Sequence, residues 1–337
     1  MRTILLSLLF ILGFSLSVEA TSPELSFSKK GEFKIMQFTD THLDPGTQYR
    51  LNEGNKTFAR ISYMVRSEHP DFIVFTGDVV SGRPAGKMWK RLIDSLNVYK
   101  VPFCITLGNH DAEQDLSRAE IAAIVTSSPY TLNKLNKIKE LADVQINVLG
   151  ANSKKPALAL YCMDSHDYST IKGIEGYGWF YPEQVQWVKD CCKSNSLLNG
   201  GKPVYSLAFF HIVLKEYLDA WRDPNNSHIG RAAEDECPGA LNTGMYAAMV
   251  ETGSFIGTFV GHDHDIDYVV AKDGMALGYG RYSGDDTTYN NLRPGSRIII
   301  IKEGERGFRT YIKEGDGRIV DNIVFAKGKI TENRIRK

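Results

Sequence analysis

The chain has 337 residues, in which 40 Lys and Arg balance 40 Asp and Glu. That length buries one large core or two modest ones, and 42% hydrophobic with 24% charged residues excludes a disordered chain. The absence of net charge removes a general electrostatic reason to bind nucleic acid or anionic lipid, so no nucleic-acid partner is expected.

Arg2 precedes an almost wholly apolar run, Ile4–Leu16, which is followed by Val18, Glu19 and Ala20 in the pattern of a signal-peptidase site. A membrane-spanning helix needs about 20 apolar residues, and this run is shorter. Residues 1–20 therefore read as a secretory signal, with an uncleaved anchor as the alternative. The mature chain is expected to be periplasmic or extracellular, without stable membrane insertion. Residues 21–32 read as a polar linker and residues 33–337 as one domain.

Apolar runs of strand length follow at Phe33–Phe38, Phe72–Phe75, Phe103–Leu107, Leu158–Met163, Val204–Phe210 and Phe255–Val260. Helical patterns lie between several of them, at Thr57–Glu68, Lys87–Tyr99 and Pro182–Cys192; Pro182 suits a first helical turn. Strands alternating with helices imply a layered α/β fold. From Ile266 short strands and Gly turns dominate, which predicts a mostly antiparallel second sheet from Tyr268–Ala271, Met275–Leu277, Ile298–Ile301 and Phe308–Ile312. Cys104 and Cys162 sit in apolar runs as buried thiols, and one bridge is open to Cys191, Cys192 and Cys237.

Five clusters of chemistry-bearing residues follow predicted strands: Asp40 and His42, Asp78, Asn109 with His110 and Asp111, His211, and His262 with His264. Side chains two apart on an extended segment point the same way, so Asp40 and His42 can grip one ion, and His262 and His264 again share a side. Alone, an aspartate after a strand is an ordinary helix cap, Gly-Asp an ordinary turn, and His211 an ordinary core histidine. Together at strand carboxy ends, where ligands converge in open α/β sheets, they predict a metal cage. Mixed oxygen and nitrogen ligands suit Mn, Fe or Zn and disfavour Ca. Asp263, Asp265 and Asp267 mimic a calcium loop, but Tyr268 and Gly274 stand where that loop needs Gly and Glu. His166, in Asp164–Asp167, is a candidate substrate contact or a turn residue. Arg281 is a candidate phosphate contact or a surface arginine. Tyr177 and Trp179 are candidates for the site entrance or for core packing.

The ordered set resembles the calcineurin-like metallophosphoesterase superfamily. Phe209–Tyr217, Tyr177–Trp179 with Gln184 and Trp187, and Cys237-Pro238 with Asn242–Met245 ahead of Gly261–His264 resemble its purple-acid-phosphatase-related branch, over roughly Phe33 to Ile301. The resemblance implies a four-layer α-β-β-α sandwich of two mixed sheets flanked by helices. It implies two divalent cations, one held by Asp40, His42, Asp78 and His264, the other by Asp78, Asn109, His211 and His262. A hydroxide shared by both would attack a small phosphate ester, monoester or diester, in line. His110 would stabilise the transition state or protonate the leaving oxygen, with Asp111 orienting its ring. Asn109 is also placed towards substrate. True purple acid phosphatases carry an iron-ligating tyrosine where this chain has Ser81, and typically glycine where it has His42, so a divalent pair without purple colour is expected. A non-catalytic metal-binding scaffold of the same fold is the alternative.

Overall fold

The computed structural model describes residues 23–285 and 291–333; the expected signal of residues 1–20 lies outside them. In chain order these residues form β1 (Leu25–Ser26), β2 (Glu32–Phe38), α1 (Gln48–Glu68), β3 (Phe72–Thr76), α2 (Ala85–Tyr99), β4 (Phe103–Thr106), α3 (Arg118–Val125), β5 (Val144–Leu149), β6 (Pro156–Cys162), α4 (Pro182–Leu198), β7 (Tyr205–Phe209), α5 (Lys215–Arg222), β8 (His228–Ile229), α6 (Met245–Thr252), β9 (Phe255–Val260), β10 (Val269–Lys272), β11 (Met275–Tyr279), β12 (Gly295–Lys302), β13 (Gly307–Glu314), β14 (Ile319–Ala326) and β15 (Lys329–Glu332).

The strands make two mixed sheets among the described residues, in the orders β1-β5-β6-β7-β9-β11-β10-β8 and β15-β14-β13-β12-β2-β3-β4. Alternate residues of a strand face opposite ways, and here both faces are apolar. Ile35, Val74, Leu160, Phe209 and Ile299 share one core between the sheets. Their strand neighbours Met36, Phe75 and Ile298 pack outward against Met64 of α1, Trp89 of α2 and Ile121 of α3. On the other sheet Tyr161, Ala208 and Phe210 pack outward against Val188 of α4, Tyr217 of α5 and Met249 of α6. The result is the four-layer α-β-β-α sandwich, since strands apolar on both faces must be covered on both.

Several boundaries and pairings differ from the sequence reading. α1 begins at Gln48, well before Thr57, because the Thr47 side chain caps it by accepting from the Arg50 amide; its first turns are polar and carry no apolar period. α4 runs on to Leu198. The carboxy-terminal strands do not form a sheet of their own. β10 and β11 join the first sheet, with β11 parallel to β9, while β12 to β15 extend the second antiparallel to β2. Hydrophobic period identifies a strand but not its partner. The described part of the expected linker is also structured: β1 pairs with β5, and Leu25 and Phe27 enter the inter-sheet core.

All five cysteines are free thiols. Cys104 and Cys162 lie in the inter-sheet core. No bridge joins Cys191, Cys192 or Cys237: Cys192 Sγ is 3.3 Å from the Tyr161 hydroxyl under α4, whereas the Cys237 amide is tied to Asp263 beyond the β9 end. No helix among the described residues is long and apolar enough to cross a membrane.

Candidate metal centre

β2, β3 and β4 run parallel in one sheet, and β7 and β9 run parallel in the other. Each ends in one of the five clusters, so the loops beyond them meet on one rim. The main chain binds these loops together. The Asp40 amide donates to the Gly77 carbonyl (3.1 Å), the His42 amide to the Asp78 carbonyl (3.0 Å), and the Gly261 amide to the His211 carbonyl (3.3 Å).

The structure brings six of the seven expected ligands, all but Asn109, together around a shared carboxylate. Ligand atoms of Asp40, His42, Asp78 and His264 lie within 4.8 Å of one another, as do those of Asp78, His211 and His262. Asp78 Oδ2 is 3.2 Å from His211 Nε2 and 3.7 Å from His42 Nε2. His264 Nε2 is 3.6 Å from Asp40 Oδ1. Asn109 has a buried Oδ1 without a hydrogen-bond partner, and the amide of the next residue, His110, donates to Asp78 Oδ1 at 2.9 Å.

The route to this convergence differs from the one expected. Asp40, His42, Asp78 and His262 have left-handed backbones, with φ of 50°, 42°, 50° and 81°. The pairs Asp40/His42 and His262/His264 therefore do not aim their side chains by strand alternation. Each pair lies just beyond its strand, and a left-handed backbone there costs of order 1–3 kcal/mol per non-glycine residue and persists where the surroundings over-determine it.

The side chains fit a cation on their own chemistry. His211 Nδ1 lies 2.7 Å from the Thr76 carbonyl, which leaves Nε2 as the ligating atom. That nitrogen faces Asp78 Oδ2 at 3.2 Å, while both ring nitrogens of His262 and the Asn109 Oδ1 are buried without a hydrogen-bond partner. Buried polar atoms rarely stay unpaired, and a bound cation would take up such lone pairs. Burial pulls His42 and His262 down to about 3, which keeps both imidazoles neutral, the ligating form. Burial would raise Asp78, but His211, then His42 and His110, hold it well below the ordinary range as a carboxylate. Burial raises Asp40, opposed by His211 and His264.

Two expected roles change. Asp111 does not orient His110. Its carboxylate is fully buried and accepts from the Val79 (2.8 Å), Val80 (3.0 Å) and Gly108 (2.8 Å) amides, so it ties the β3 and β4 loops together. Burial, with Asp78 nearby, pushes it up to about 7. Arg281 is neither a phosphate contact nor a surface residue. Its guanidinium is wholly buried, paired with Asp267 and, at 3.3 Å, with Glu314. His166, a candidate substrate contact or turn residue, has its Nε2 2.9 Å from Gln184 Oε1, its ring stacked on Tyr181 and its amide donating to Asp164 Oδ1 at 2.9 Å, the local bond of a turn. The rejected calcium loop finds separate partners for its acids: Asp263 takes the Tyr279 hydroxyl (2.6 Å), Asp265 the Asn291 amide (3.1 Å), and Asp267 the Arg231 amide (2.8 Å) and Arg281.

Two residues the sequence reading missed stand beside the cage. Glu113 Oε2 is 2.5 Å from His110 Nδ1. The Tyr168 hydroxyl donates to Glu113 Oε1 at 2.6 Å and accepts from Asn109 Nδ2 at 3.2 Å. Burial would lower His110, but Asp78 and Glu113 outweigh it and raise its pKa. Tyr168 stacks on Tyr177, whose ring meets His262 edge-on with centroids 4.3 Å apart. Tyr177 thus lines the cage, while Trp179 is buried. Position Glu113, three residues after His110, was the one local clue.

Residues 33–266 match the family model of the calcineurin-like phosphoesterases, and the chain belongs to that family. Among its relatives, the probable inactive purple acid phosphatase 29 of Arabidopsis thaliana is 31% identical, over 76% of this chain and 73% of that protein. Phosphatase DCR2 of Saccharomyces cerevisiae is 27% identical, over 76% of this chain and 48% of that protein. In three dimensions the fold is similar to a dimetal phosphatase from Danio rerio, with a TM-score of 0.59 at 13% identity over 87% of this chain and 98% of that one. It is also similar to the purple acid phosphatase PPD1 of yellow lupin, with a TM-score of 0.52 at 12% identity over 89% of this chain and 54% of that one.

Proposed function

We propose that this chain hydrolyses small phosphate esters, monoesters or diesters, with two divalent cations drawn from Mn, Fe or Zn. One observation carries the reading: two ligand groups meet on the single carboxylate of Asp78 at the rim where five strands end. Asp40, His42, Asp78 and His264 would hold one cation, and Asp78, Asn109, His211 and His262 the other. Bound there, such a pair supplies Lewis acidity and a strong nucleophile at neutral pH.

The chain's own groups do the rest. His110 adjoins Asn109, and its ring lies 5.7 Å from that of His42, within reach of a leaving oxygen whose charge a proton neutralises. Tyr168 and Tyr177 wall the approach. Asp111 holds the ligand loops in register. Ser81 lacks the phenolate of a purple ferric site, which supports a colourless divalent pair. An exported location, with a small-molecule substrate and no nucleic-acid partner, belongs to the same proposal; it rests on the apolar run Ile4–Leu16 and the balanced charge.

A second reading is a metal-binding protein of this fold without turnover. The word "inactive" in the name of the Arabidopsis relative favours it. Chain stripped of metal and reloaded with Mn, Zn, Fe or Mg separates the two when offered 4-nitrophenyl phosphate and bis(4-nitrophenyl) phosphate. Turnover above the metal-only background supports hydrolysis; a metal-loaded chain silent on the panel supports the scaffold.

A further inference from the structure

Asp111, the carboxylate next to His110, is spent on three backbone amides, so something else must set the imidazole. We propose that Glu113 and Tyr168 are positioning residues that fix the His110 ring and the Asn109 amide as one unit. The catalytic consequence rests on the phosphoesterase reading, whereas the fixed orientations do not.

The carboxylate of Glu113 divides its oxygens between two partners, His110 Nδ1 at 2.5 Å and the Tyr168 hydroxyl at 2.6 Å. A carboxylate on Nδ1 fixes ring orientation and leaves Nε2 as the working nitrogen. The Tyr168 hydroxyl also accepts from Asn109 Nδ2. An amide whose nitrogen is so occupied must present its oxygen the other way, and Asn109 Oδ1 is the buried atom without a hydrogen-bond partner. One phenol therefore settles which amide atom faces the cage and braces the carboxylate that holds the acid. Tyr168 is itself held. Arg118 pairs with Asp164 and Asp167 just before it, and Arg118 opens α3, which follows Glu113 by a few residues. Both ends of the unit thus hang from one segment of chain.

In hydrolysis the bond from phosphorus to the alcohol oxygen breaks and its electron pair stays on that oxygen. The proton of His110 Nε2 passes to it. The attacking water supplies the new oxygen on phosphorus and the proton that restores His110. A nitrophenolate leaves readily without that proton, whereas an alkoxide does not. An orienting role for Glu113 therefore predicts a loss that grows with the basicity of the alcohol, so alkyl phosphate esters are the substrates this unit serves.

The test uses the full chain and the variants Glu113→Gln and Tyr168→Phe. With Glu113→Gln, kcat on 2-glycerophosphate should fall roughly tenfold or more beyond its fall on 4-nitrophenyl phosphate, with KM little changed. A readout free of turnover accompanies it: in imidazole 1H–15N spectra the His110 Nδ1 proton, assigned with His110→Ala, should lie downfield in the wild type. It should be lost in Glu113→Gln and shifted in Tyr168→Phe. Equal losses on both esters, or a His110 signal unmoved by either variant, would overturn the proposal. A wild type silent on every ester would sink the phosphoesterase reading instead, and the spectra alone would then decide this one.

Discussion

His42 Nε2 and His264 Nε2 lie 3.1 Å apart although 222 residues separate them. Each ring is also held near a carboxylate of the same group, Asp78 for His42 and Asp40 for His264. Two imidazole nitrogens and two carboxylates converge here from both sheets, an arrangement the unfolded chain lacks, so a cation held by them would favour the native state. Ligand binding to the native state alone stabilises by about 2.7 kcal/mol at a hundredfold excess over Kd. Adding Mn or Zn to chelated protein should therefore raise Tm in a thermal melt, and His264→Ala should abolish most of the rise. A melt insensitive to both metals contradicts this.

Gly108 is where the cage leaves no room for a side chain. A Cβ there would overlap Asp78 Oδ1, the Asp78 amide and, at 2.7 Å, His211 Nε2. Gly108→Ala should leave the layered core intact but push the bridging carboxylate aside. Metal affinity should drop roughly 10- to 100-fold, the range seen when groups that orient ligands are disturbed, with little change in far-UV circular dichroism. Undiminished affinity in a metal titration would show that Asp78 is not held as described.

Arg281 serves stability rather than substrate. Removing one partner of a buried ion pair costs about 3–5 kcal/mol, and this guanidinium bridges Asp267 and Glu314 with no exposure. Arg281→Ala should lower the urea midpoint accordingly, while the KM of the folded fraction stays unchanged. A raised KM with unaltered stability would return Arg281 to the substrate.

Glu68 makes part of the stability pH-dependent. Burial would raise its pKa, but Lys313 at 2.7 Å, the Tyr311 hydroxyl at 2.7 Å and Lys34 lower it below its ordinary 4.5. A carboxyl lowered on folding contributes stability that is present above the unfolded value and lost as pH falls through the folded one. The wild type should therefore lose more stability than Glu68→Gln between pH 6 and pH 3. The measurement is the difference between their urea midpoints across that range; parallel curves would contradict it.

How much of this was legible in the sequence depended on how local each signal was. The ligands were readable because each follows an apolar run, and β2, β3, β4, β7 and β9 all end beside one. Asp111 and Arg281 were misread because a charge beside a ligand or after a glycine looks functional until its partners are known. Their partners include the amides of Val79 and Val80 and the side chain of Glu314, each more than 30 residues away. Tyr168 meets Glu113 across 55 residues, a pairing that only the packing of loops creates. Left-handed φ at Asp40 and His262 was likewise hidden, since these residue types do not demand it.

The most direct measurement is the metal content and phosphate-ester turnover of the wild type beside Asp78→Asn, a nearly isosteric change to the shared ligand. Two divalent ions per chain in the wild type, lost together with turnover in Asp78→Asn, is the result expected here. Undiminished turnover in the variant, or in wild type stripped of metal, would contradict the account.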